Sequence, residues 1–86
     1  MSNITVKLET INNLIEESEI IVETKFDKVT VVIVKLKNGF TFVEGCGCVD
    51  PANYSEEIGK EICLDRIKNE LWKVEGYKLQ CEVGEV

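Results

Sequence analysis

Histidine is absent from the 86 residues. Its absence removes the usual general base near neutral pH and the commonest metal ligand. No segment approaches the roughly 18 consecutive apolar residues that a membrane-spanning helix needs. The start, Met1-Ser2-Asn3-Ile4, has neither the basic region nor the apolar stretch of a signal peptide. There is no phosphate-cradling glycine loop of the Walker or dinucleotide-binding type. Carboxylates abound, yet no pair stands in a pattern that hydrolysis demands; Glu16-Glu17-Ser18-Glu19 and Glu56-Glu57 read as solvated or capping groups. What is present is 44 % hydrophobic and 30 % charged, the make-up of a soluble globular chain rather than a disordered one. Sixteen Asp and Glu stand against 10 Lys and Arg, and the net charge of −6 argues against broad binding to DNA, RNA or an anionic membrane. The length allows one small domain spanning residues 1–86, with a core that subunit association would strengthen.

Periodicity orders the elements. Ile11, Leu14 and Ile15 within Thr10 to Glu17 have helical spacing. Ser18 to Lys25 turns β-branched and predicts a strand, with Phe26-Asp27-Lys28 as its turn. Val29 to Leu36 is the clearest strand, apolar on both faces through Val34, which predicts a central strand covered on both sides. Asn38-Gly39 then predicts a hairpin whose two central residues take positive φ. From Phe40 to Val49 the alternation puts Phe40, Phe42, Glu44, Cys46 and Cys48 on one face. Pro51 ends that strand, and either Asn53 or Ser55 caps a helix expected to reach Trp72 or Lys73 and to stop at Gly76. Tyr77 to Val86 alternates weakly and reads as an edge strand. The fold class is α+β: an antiparallel sheet of about three strands, a short N-terminal helix and one longer helix, in a homo-oligomer.

That longer helix has two apolar sides. Gly59, Cys63, Leu64, Ile67, Leu71 and Val74 form one, and Ile58, Ile62 and Trp72 the other. One sheet needs one stripe, so the second points to another subunit, unless the N-terminal helix covers it. The four cysteines are expected to be reduced, in a cytoplasm. Structural burial is their simpler role; a zinc site is the alternative, although the usual knuckle spacing is absent. A catalytic cysteine would lack its activating base. Gly45 and Gly47 permit close approach of a helix or a ligand. Lys60, Arg66, Lys68 and Lys73 are four of the ten basic residues, and Arg66 is the sole arginine. They form either a solvated, ion-paired face or a small anion pocket. Phe40 and Phe42 either pack in the sheet core or stack a base.

Several stretches occur in a recurring order: Leu36-Lys37-Asn38-Gly39-Phe40, Gly45-Cys46-Gly47-Cys48-Val49-Asp50-Pro51, Asn53-Tyr54, Gly59, Leu71-Trp72 and Glu75-Gly76-Tyr77. From Ile11 to Leu79 the chain resembles a small family of tailed-phage and prophage proteins. Cys46-Gly47 stands where members commonly have Ser-Ala, and Lys73-Val74 where they have Pro-Leu. That family includes the first-described Thoeris anti-defence proteins. The resemblance implies a non-enzymatic sponge that sequesters a glycosidically cyclised ADP-ribose made by TIR-domain immune enzymes, in the cytoplasm of the infected bacterial host. It further implies binding of cyclic di- or trinucleotides by some relatives, and dimers that assemble further. Asn38, Phe40, Asn53 and Arg66 are the candidate ligand contacts, followed by Phe42, Lys60 and Lys73. No catalytic residue, metal or cofactor is implied, and neither a DNA or RNA polymer nor a membrane is expected as a partner. The alternative is a phage module that binds, inhibits or scaffolds a host or phage protein.

Overall fold

A computed structural model describes residues 3–86; Met1 and Ser2, part of the start read above for a signal peptide, lie outside the described residues. The elements are helix α1 (Leu8–Glu16), strands β1 (Glu19–Lys25), β2 (Val29–Lys35) and β3 (Thr41–Gly47), a 3-10 turn at Pro51–Asn53, and helix α2 (Glu56–Val83). The strands form one antiparallel sheet in the order β1-β2-β3, so the α+β expectation holds. β2 is central because β-branched residues fill it: Thr30, Val32 and Val34 are fully buried. Beneath them α2 lays down Cys63, Ile67 and Leu71, and α1 adds Ile11, all fully buried.

The sequence misjudged one face of β2. Only the helical side of the sheet is covered; across the other, Ile21 is 53 % and Val43 62 % exposed. Two helices cannot cover both faces when both pack on the same one, and α2 lies over β2 and β3. Ile58 is likewise 58 % exposed, with Ile62 and Trp72 also open, so α1 leaves the second side of α2 uncovered.

The turns also differ from expectation. Gly39 alone takes a positive φ, 94°, in the β2–β3 hairpin. Its N–H donates to Leu36 O at 2.8 Å and Asn38 Oδ1 accepts from Phe40 N–H at 3.0 Å. The loop is therefore three residues long, with glycine at the position that demands the left-handed conformation. In the β1–β2 turn Phe26 and Asp27 have φ of 54° and 58°, a strained arrangement for a bulky side chain.

Helix α2 runs 28 residues, straight through Gly76, and ends at Gly84 with φ 74°. The edge strand expected after Tyr77 is thus the last part of this helix. Gly76 costs only about 1 kcal/mol in a helix interior, and no proline follows to stop propagation. Ser55, not Asn53, is the N-cap: its Oγ accepts from Ile58 N–H at 3.3 Å, while Asn53 sits in the 3-10 turn. Ser55→Ala should lower stability by about 1 kcal/mol in chemical unfolding. Asn53→Ala should leave it within about 0.5 kcal/mol, as at a surface position outside any cap.

Candidate functional site

The start of α2 leans on β2 through a glycine. A Cβ on Gly59 would lie 2.2 Å from Thr30 Oγ1, so only glycine lets the helix approach this closely. Above that contact, a cavity of about 150 Å³ opens between the end of β3 and the first turns of α2. Asn53, Tyr54 and Ser55 line one side, Cys46 to Cys48 another, and Ile58 and Ile62 form an open apolar lip.

A hydrogen-bonded chain fixes the floor. Thr24 Oγ1 donates to the Glu56 carboxylate, which when ionised can only accept. Thr24 therefore accepts from the Tyr54 hydroxyl at 2.8 Å, and Tyr54 in turn accepts from Thr30 Oγ1 at 2.7 Å. The chain joins β1, β2 and α2 and leaves the Tyr54 ring as a fixed wall.

Arg66 lies one turn beyond Ile62, and its Nη1 donates to Gly45 O on the edge of β3 at 2.9 Å. One of its five N–H donors is used there. Beneath it, burial pushes the Cys63 thiol above its ordinary pKa of 9.0; Cys46 and Glu44 add to the rise and Arg66 opposes it. The folded state then holds the Cys63 proton longer than the unfolded chain does. Its contribution is complete below about pH 9 and is lost as pH rises through the thiol range. Thermal unfolding from about pH 7 to about pH 10 should show this loss, and Cys63→Ala should make it shallower.

The seven residues singled out from sequence do not form one site within a single chain. Asn53 lines the cavity and Arg66 flanks it. Asn38 and Phe40 lie beyond the other end of β3, a strand of seven residues and so about 20 Å away, and Phe42 stands four residues, about 13 Å, from Cys46. There the two rings meet edge to face, with centroids 5.2 Å apart. Lys60 is two residues from both Ile58 and Ile62, about 200° around the helix from the lip. Lys73 is exposed, 3.7 Å from Glu70. Tyr54, Thr30 and the Ile58–Ile62 lip were not among the candidates; the second apolar side of the helix was the signal for the lip. The four cysteines do not converge, and no group of three or more potential ligands capable of holding a metal occurs among the described residues. No helix among the described residues is long and apolar enough to cross a membrane.

A family model described as phage protein (N4 Gp49/phage Sf6 gene 66) matches residues 5–83. No curated protein and no solved structure matches.

Proposed function

The chain belongs to that phage protein family, and from this premise we propose that it sequesters a cyclic ADP-ribose isomer without cleaving it. The signal would be the glycosidically cyclised form made by TIR-domain immune enzymes, met in the cytoplasm of an infected bacterium. The observation that carries the reading is the cavity at the start of α2. Its volume of about 150 Å³ is that of an apolar cavity that holds one aromatic ring. It is too small for a whole nucleotide, since drug-sized ligands occupy roughly 300–1,000 Å³. One base would enter between Tyr54 and the Ile58–Ile62 lip, with the Asn53 amide available to its edge. The diphosphate would remain outside, near the free guanidinium donors of Arg66. Binding of this kind needs no general base or nucleophile, and a second subunit would supply the missing wall over the lip.

The test is to incubate the protein with purified cyclic ADP-ribose isomers, measure binding calorimetrically, then heat-denature it and recover the ligand. Intact ligand supports sequestration; conversion shows an enzyme; the absence of binding removes the proposal. Arg66→Ala should weaken binding by about 1.5–3 kcal/mol if it makes a charge-assisted bond. Unfolding measured on the same variant separates this loss from that of the Gly45 contact. A second reading, a module that binds a host or phage protein, is favoured by the open sheet face carrying Ile21 and Val43.

A further inference from the structure

Helix α2 borders a second opening far from the first. Gly59 and Glu75 are sixteen residues apart, about 24 Å along the helix. There a cleft of about 360 Å³ lies between the last turns of α2 and the segment that leads into α1. Glu75, Lys78 and Leu79 stand at i, i+3 and i+4, so they share the face of α2 that forms one wall. Val6 and Lys7 belong to the other. The volume falls within the usual span of small-molecule sites, roughly 300–1,000 Å³.

Glu75 is the unusual group in this cleft. Its side chain is only 15 % exposed, yet its one ion-pair partner among the described residues, Lys78 Nζ, is 4.0 Å away. A charge-assisted N–H···O bond is about 2.7–2.9 Å long. The Glu75 carboxylate makes no hydrogen bond among the described residues, and no fully buried side-chain oxygen there lacks one. The covered part of Glu75 is therefore its stem, while its oxygens remain open to the cleft. A carboxylate held this low normally has a close partner, and this one has only a stretched pair with a lysine that is 67 % exposed.

We propose that the cleft binds a free α-amino acid with an aliphatic side chain, its head group set between Glu75 and Lys78. The ammonium would donate to the Glu75 carboxylate, and the carboxylate would accept from Lys78 Nζ. Two bonds of ordinary length would then replace one stretched pair. An α-amino acid carries both charges on a single carbon, the arrangement that a cation and an anion 4.0 Å apart can each engage. Val6 and Leu79, both half-buried, supply an apolar surface for the side chain. The other charged groups of the lining, Lys7 and Glu82, are opposite in sign. The cleft is thus neutral in sum, and its field favours a zwitterion over a simple anion or cation. None of these residues takes part in the proposed nucleotide site.

Calorimetric titration of the full chain with L-leucine, followed by NMR to locate the shifts, tests the proposal. Leucine should bind, with shifts at Val6, Glu75, Lys78 and Leu79. Isoamylamine lacks the carboxylate and 4-methylpentanoate lacks the ammonium, so each should bind at least about tenfold more weakly, the loss of one charge-assisted bond. Glycine lacks the side chain and should also bind more weakly. Lys78→Gln should weaken leucine about tenfold or more and leave isoamylamine unchanged. Glu75→Gln should weaken leucine and isoamylamine alike and leave 4-methylpentanoate unchanged. Lys78 is mostly exposed, so its variant should melt with wild type and keeps the test open if the Glu75 variant unfolds. The proposal is overturned if leucine does not bind, if either half-molecule binds as tightly, or if Lys78→Gln leaves leucine affinity intact. Cyclic ADP-ribose binding is titrated separately, so failure at one site says nothing of the other.

Discussion

Gly59→Ala is expected to lower stability by about 3 kcal/mol, the upper part of the range for overpacking a close contact. The new methyl would stand 2.2 Å from Thr30 Oγ1 and 2.8 Å from Thr30 Cβ, and Thr30 is fully buried. Thr30 also donates to Tyr54, so moving it would break the chain that joins β1, β2 and α2. For a domain of this size each kcal/mol is worth about 4–8 °C, so the midpoint should fall by about 12–24 °C. Adding Thr30→Ala removes the nearer clash and leaves the 2.8 Å contact with Cβ, so recovery should be partial. Gly76→Ala is the control with the opposite sign. Nothing lies within 4 Å of a Cβ there, and the position is interior to α2. Alanine should therefore raise stability by about 0.5–1 kcal/mol. If Gly59→Ala melts within about 3 °C of wild type, under 1 kcal/mol by the same scale, the close helix–strand approach is wrong.

Ile67→Ala should cost about 2–5 kcal/mol in chemical unfolding, the usual price of hollowing a packed core. Ile67 is fully buried among Val32, Val34, Ile11, Cys63 and Leu71, where two helices and the sheet meet. Total stability for a chain of 86 residues is on the order of 4–13 kcal/mol, so this loss is a large fraction of the whole. The informative comparison is Ile58→Ala, the same chemical change on the same helix. Ile58 is 58 % exposed on the lip of the cavity. Its removal should change stability by less than about 0.5 kcal/mol. It should nonetheless weaken the base-sized site if ligand binds there. Equal losses at the two isoleucines would mean that the second side of α2 is covered in solution.

The isoleucine comparison also shows how far the sequence could be read. Both stripes of α2 were visible as angles around a helix, and the first proved to be the buried one at Gly59, Cys63, Ile67 and Leu71, while Val74 is exposed. Which apolar residues go inside depends on what lies opposite them, and a helix pattern does not contain that information. The same limit affected β2, whose two apolar faces met only one layer of helices. Gly76 misled for a different reason. A glycine is a weak helix breaker, and the residues after it supplied neither a proline nor a strong strand pattern to overrule propagation.

For the site, the sequence brought forward Asn53 and Arg66 and missed Tyr54. A tyrosine after a 3-10 turn carries no periodic signal; its role comes from Thr24 and Thr30, 30 and 24 residues away in the chain. Phe40 and Arg66 both belong to plausible ligand chemistry, yet β3 separates the hairpin from the cavity by its whole length.

The sequence by itself determined the three strands and two helices, the central place of β2 and the helix face carrying Cys63, Ile67 and Leu71. These follow from side-chain periodicity and β-branching, which are local. The absent histidine, also plain from sequence, withholds the usual general base. Tertiary structure alone decided that Gly59 and Thr30 meet, that a ring-sized cavity opens above them, and that Arg66 takes the Gly45 carbonyl on the β3 edge. Each of those depends on the distance between residues remote in the chain, and that distance is set only when the helix settles on the sheet.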